Sequence, residues 1–297
     1  MGKAGRDKTH PQWWITRLIH LPTKMMWDWR QGPGNSSERT HLREMIPSLP
    51  ASSLLVGDTG FGGFDLLWQL SKAKVMFLIR CGGNTTLLIE ETRQRIEDRG
   101  EGRYVYLWPK NRRRHKPLCL RLIVLKRGGK RVYLLTNVLE SPRLSRSMAG
   151  ELYRARWGIE VEFRGLKQTL ARRKVLARTP EIGAMELAAN ILALALLLLY
   201  AAMIMGAGVT RLSLADAVRA IRWAMERVRN GMPCPTLGEK LLEAVCDEYI
   251  RHSSKRARDW PHKKSERPPG CPRLRRLKGS EKAGVYAVLT NHAAQLT

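Results

Sequence analysis

With 297 residues, 43% of them apolar, the chain is long enough for one large domain or two smaller ones, each with a real core. Its 53 Lys and Arg against 26 Asp and Glu leave a net charge of +27, which selects a polyanionic partner, nucleic acid before an anionic membrane surface. The five cysteines are scattered without a CxxC pair, so no zinc module can be read from them. Their odd number, with no apolar signal stretch at the start, predicts a reducing, cytoplasmic location.

In chain order, Gln12–Leu21 and Lys24–Arg30 are β-rich runs around a Pro-Thr turn and predict an antiparallel hairpin. Ser36 or Ser37 can then cap a helix whose apolar stripe is Leu42, Met45 and Ile46, and Pro47 stops it. Ser52–Asp58 is a short apolar run that ends in a carboxylate. A helix over FDLLWQLSKA and a buried strand over Lys74–Arg80 follow. This order predicts an α/β fold with a mixed sheet, residues 1–81 forming its first part.

From Gly82 the pattern turns to strands. YVYLW, LCLRLIVLK and RVYLLTNVL are separated by PKNRRRHKP and by a tight turn at Gly128-Gly129. Eleven Lys and Arg and no acidic residue lie between Glu101 and Glu140. Residues 82–144 therefore read as a β-rich insertion with one basic side, on which Arg112, Arg113 and Arg114 are candidates for phosphate contact.

Helices are predicted next, over about 145–170, 181–205, 213–229 and 237–249. Residues 145–205 read as the closing part of the core and 206–250 as a helical C-terminal region. The Lys-, Arg- and Pro-rich tail, 251–297, reads as irregular. The apolar helix of 181–205 is long enough to span a bilayer. Glu186 and Asn190 in its first half, and equally basic flanks, favour a fully buried core helix and no membrane.

Tyr153, Arg156, Glu160 and Lys167 stand at i, i+3, i+7 and i+14, within one narrow sector of a helix. Spacing alone describes a solvated face with an Arg156–Glu160 ion pair. Asp58 adds weight, because ligands of open α/β sheets sit outside the carboxyl ends of the strands. A turn cap is the plainer role for that aspartate.

With these residues in view, the sequence resembles the DDE transposases of bacterial insertion sequences, in the branch marked by Tyr-x2-Arg-x3-Glu-x6-Lys. Here that signature is Tyr153, Arg156, Glu160 and Lys167, and the family's Asp-x-Gly-Phe/Tyr motif is Asp58-Thr59-Gly60-Phe61. The resemblance runs over roughly residues 1–270. It implies an RNase H-like catalytic domain that cleaves and transfers DNA strands with two divalent metals, usually Mg²⁺, between three carboxylates. Asp58 and Glu160 would be two of the three. Tyr153, Arg156 and Lys167 would line double-stranded DNA at the transposon ends, held by a homodimer associated with the nucleoid.

The family's first aspartate belongs on a strand upstream of the hairpin at 12–30, and no residue here fills that place. Asp7 falls too early, alternation turns Asp28 away from the core, and Asp65 suits the first turn of its helix. The resulting expectation is an N-terminally truncated, catalytically impaired transposase. The alternative is a non-catalytic DNA-binding or inhibitory fragment of one. The histidines show no metal-ligand spacing, and His10, His20 and His41 read as structural.

Overall fold

The computed structural model describes residues 13–90, 100–109, 116–127, 130–156, 177, 179–206, 212–233, 236–244 and 270–293. The chain divides into two compact units. A sheet unit takes residues 13–16, 30–156 and 265–297, and a helical unit takes 1–12, 17–29 and 157–264. The predicted hairpin is present as β1 (Trp13–Ile19) and β2 (Met26–Pro33), a two-stranded sheet.

In the sheet unit, α1 (Glu38–Met45) buries His41, Leu42 and Met45 and runs into a 3-10 turn at Ile46–Ser48, where Pro47 ends the helix. Ser37 holds the N-cap position, though its side chain makes no cap hydrogen bond. His41 is tied into the core by a 2.9 Å hydrogen bond between its Nδ1 and the hydroxyl of Thr16. The remaining elements up to the signature helix are β3 (Leu54–Gly57), α2 (Phe64–Lys72), β4 (Met76–Cys81), β5 (Thr86–Ile89), β6 (Arg103–Leu107), β7 (Leu118–Arg127), β8 (Lys130–Thr136) and α3 (Arg146–Ala155).

Among the described residues, seven strands form one mixed sheet in the order β3-β4-β8-β7-β6-β5-β9, where β9 is Arg273–Arg276. Strands β3 and β4 pair in parallel, as their α2 connection requires, whereas β4, β8, β7, β6 and β5 pair antiparallel. Strands β7 and β8 pair as far as Arg127↔Lys130, and the turn predicted at Gly128-Gly129 lies outside the described residues. Alternation puts Leu54 and Val56 of β3, Leu78 of β4, Ile123 of β7 and Leu134 of β8 on one face, where they bury Leu144, Ala149 and Tyr153. Phe77 and Ile79 point to the opposite face, where α2 packs on β4.

The strands of residues 82–144 extend the core sheet through the pairing of β8 with β4. Two expectations need correction. The tail is not irregular over 270–293. Its RLRR run becomes β9, parallel to β5, and α7 (Gly279–Ala293) follows, with Leu277 and Val285 buried against Leu88 and Tyr106. Basic composition hid an edge strand, because an edge can keep its charges in water.

The second correction concerns the helical unit, whose described helices are α4 (Pro180–Met205), α5 (Leu214–Arg229) and α6 (Leu237–Glu243). Leu194, Leu197, Leu198 and Ala201 of α4 form its core with Leu214, Ala217 and Leu241. Far from being buried all round, α4 exposes Ile182, Met185, Leu192, Leu196, Leu199 and Met203, because α5 and α6 cover only one of its faces. By length and composition α4 could also cross a membrane.

Two polar groups pin the sheet unit. Arg121 of β7 is buried and donates to the carbonyl of Leu144, which fixes the approach to α3. Asn137, just past β8, accepts from the N–H of Phe77 at 2.9 Å and donates to the carbonyl of Val75 at 3.1 Å. Replacing Asn137 by Ala strands both backbone groups and should cost about 1–3 kcal/mol in urea unfolding.

Candidate functional site

Asp58 directly follows β3 and continues its alternation, so its side chain rises on the face that carries α3. It caps the 3-10 turn Thr59–Phe61: Oδ1 accepts from the Thr59 N–H at 2.6 Å and from the Thr59 hydroxyl at 3.3 Å. The cap uses Oδ1 and leaves Oδ2 to face Arg156. Gly57 sets the height of this turn. A Cβ there would lie 2.6 Å from Ile79 Cδ1 and 3.2 Å from Phe61 Cδ2, so a larger residue would push β3, and Asp58 with it, off β4.

Helix α3 starts cleanly because the Ser145 hydroxyl accepts from the Met148 N–H. Ala149, Leu152 and Tyr153 form its sheet-facing stripe at i, i+3, i+4. That packing carries the end of the helix over the end of β3. There the Arg156 guanidinium lies 3.6 Å from Asp58 Oδ2, with its Cζ 5.4 Å from the centroid of the Tyr153 ring. Burial first and the Asp58 charge second push the Tyr153 hydroxyl pKa up, while the cations of Arg156 and Arg80 pull it down.

Of the residues singled out in the sequence, the structure brings Asp58, Tyr153 and Arg156 together. Glu160, Lys167, Arg112, Arg113 and Arg114 lie outside the described residues. Among the described residues no three His, Cys, Asp or Glu side chains converge as a metal cluster. Asp28 of β2 is half-buried, and its Oδ1 accepts from the Trp29 N–H at 2.7 Å. Asp65 sits in the first turn of α2, as expected.

Sequence reading missed several groups near Asp58. Glu38 opens α1, and its Oε2 packs close against Gly60. Burial first and the Asp58 charge second raise the Glu38 pKa, with His41 opposing. Arg39, on the same turn, donates to the Gly60 carbonyl at 2.6 Å. A cavity of about 420 Å³ opens beside Thr59, and Arg39, Arg80, Asn84, Trp108 and Arg275 contribute to its wall. Arg275 comes from β9 and is held at 2.7 Å by Glu281 of α7. The alternation of RLRR was the available signal for it, and the tail's basic composition masked it. A carboxylate paired with a guanidinium at the end of a strand can take a cation on its oxygens and a phosphate on its rim.

The sequence profile of the family described as Transposase DDE domain matches residues 19–198. The chain is similar to a curated protein, Transposase InsG for insertion sequence element IS4 of Escherichia coli (strain K12). The two are 24% identical over 282 residues, a match that takes in 89% of this chain and 62% of InsG. The chain spans less than two thirds of the length of that relative.

Proposed function

Because this chain belongs to the Transposase DDE domain family, we propose that it acts in the transposition of an insertion sequence, cutting and joining DNA at the element's ends with divalent metal. The observation that carries this reading is the meeting of Asp58 with Arg156. It joins the two halves of the family pattern, nearly a hundred residues apart in sequence, at one strand end.

Asp58 fits a metal ligand. It offers a hard carboxylate oxygen, and that oxygen already faces a positive charge, the Arg156 guanidinium. Asp58 and Glu160 would hold the metal, typically Mg²⁺. Bound metal supplies activation of the attacking hydroxyl and stabilisation of the leaving oxygen in an in-line displacement. The protein's own groups do the rest. Arg156 grips a phosphate with its planar fork and Lys167 meets one as a point charge. Tyr153, held rigid by its burial, lies beneath the Arg156 guanidinium and sets where it meets the phosphate. Arg112, Arg113 and Arg114 fix the duplex by its backbone. A homodimer would hold two ends together in the cytoplasm, on the nucleoid.

The test is cleavage and strand transfer on the parent element's end DNA with Mg²⁺ or Mn²⁺. Metal-dependent cutting that disappears in E160A supports the reading. DNA binding with no cutting under any metal selects a DNA-binding protein instead. Binding itself should be steeply salt-dependent. With six to ten phosphates contacted, affinity should fall by about 10³–10⁵ between 50 and 200 mM salt. A flat salt response in fluorescence anisotropy would remove DNA as the partner of the basic surface.

A further inference from the structure

Asp58 already has a cation. Its Oδ1 is committed to Thr59, and the oxygen left for any other partner, Oδ2, faces Arg156 at 3.6 Å. Arg156 is not a swinging surface residue: its side chain is 11% exposed, and Tyr153 lies beneath the guanidinium. A divalent ion on Oδ2 would sit near that guanidinium. The Asp58 side chain is 40% exposed and water screens part of the repulsion, yet the two like charges compete for the same oxygen.

We infer that Arg156 is a latch on Asp58, and that a DNA phosphate opens the site to metal by drawing the guanidinium away. This rests on the reading of Asp58 as a metal ligand. The exchange is balanced in charge. A phosphate replaces the carboxylate as the partner of Arg156, in the bidentate geometry that guanidinium prefers. Asp58 is left negative beside Glu38, whose carboxyl packs against Gly60 two residues on. The vacated place then favours a cation more than before. The protein without DNA keeps the carboxylate paired, so metal loading follows DNA binding and a free molecule does not cut at random.

The experiment measures Mn²⁺ binding to the full chain by electron paramagnetic resonance of the free ion. It runs with and without a short DNA duplex, with the duplex alone as baseline, and needs no turnover. Losing a charge-assisted pair at this oxygen should tighten Mn²⁺ binding about tenfold. R156Q without DNA should therefore match the wild-type protein with DNA, and adding DNA should change it little. D58N should lose the site in both states. R156M keeps the aliphatic stem over Tyr153 and replaces R156Q if melting curves show that variant unfolded. If folded R156Q and R156M bind Mn²⁺ no tighter than wild type while D58N loses it, the latch is refuted and Asp58 survives as a ligand. Wild-type affinity unmoved by saturating duplex refutes it equally, with no mutation involved. If D58N binds as wild type does, the metal-ligand reading falls and takes the latch with it.

Discussion

Asp58→Ala should remove metal-dependent DNA cleavage by a factor of about 10³ or more. On the proposed reading of Asp58 as a metal ligand, its loss forfeits several kcal/mol of charge stabilisation, and each 1.36 kcal/mol is tenfold in rate. DNA affinity should fall little or rise slightly, since a negative charge leaves the rim of a basic site. The same substitution removes the cap of the turn at Thr59–Phe61. The Asn variant is therefore the cleaner comparison: it keeps an oxygen for the Thr59 N–H while discarding the charge. Cleavage lost equally in D58A and D58N assigns the effect to charge. Cleavage retained in D58N assigns it to the turn and would overturn the metal role. A gel assay on labelled end DNA, read beside anisotropy, separates these outcomes.

Phe77→Ala should be the most damaging change to the fold itself. Phe77 is fully buried in β4, the strand that joins β3 to the antiparallel part of the sheet. Emptying such a site costs about 3–5 kcal/mol, from lost transfer energy and a residual cavity. For a unit of this size that lowers the melting temperature by about 10 °C, at about 2–4 °C per kcal/mol. Leu196→Ser on the exposed line of α4 serves as the contrast and should stay within about 0.5 kcal/mol. Calorimetry gives both values. A small effect at Phe77 would mean that the sheet is not the cooperative core of its unit.

Much of this was legible in the residues. The alternation and turn chemistry that predict β1, β2, β7 and β8 act over a few residues, and so does the Ser145 cap of α3. Asp58 could be placed at a strand end because an apolar run stops there. The meeting of Asp58 with Tyr153 and Arg156 followed from family resemblance, since no local rule pairs positions so far apart. What escaped notice was set by tertiary context. β5 is four residues, too short to show a period, and β9 carries arginines that only an edge position tolerates. Glu38 and Arg39 carry no signal in the sequence, because only the packing of α1 on Gly60 brings them to the turn that follows Asp58. The one-sided burial of α4 was invisible for a simpler reason: its residues are apolar on every side, so no periodic signal marked the covered face.

The pairing of β5 with β9 also fixes an order of events during synthesis. Arg276 aligns with Ile89, roughly 190 residues apart, and Leu277 and Val285 complete the small core around Tyr106. A ribosome must therefore release almost the whole polypeptide before the far edge of the sheet can close. Until then β5 presents an unpaired edge to neighbouring nascent chains, the kind of template that seeds aggregates. Premature termination anywhere before the RLRR run would thus do more than shorten a basic tail. It would leave the sheet open and remove Arg275 from the wall of the cavity beside Thr59.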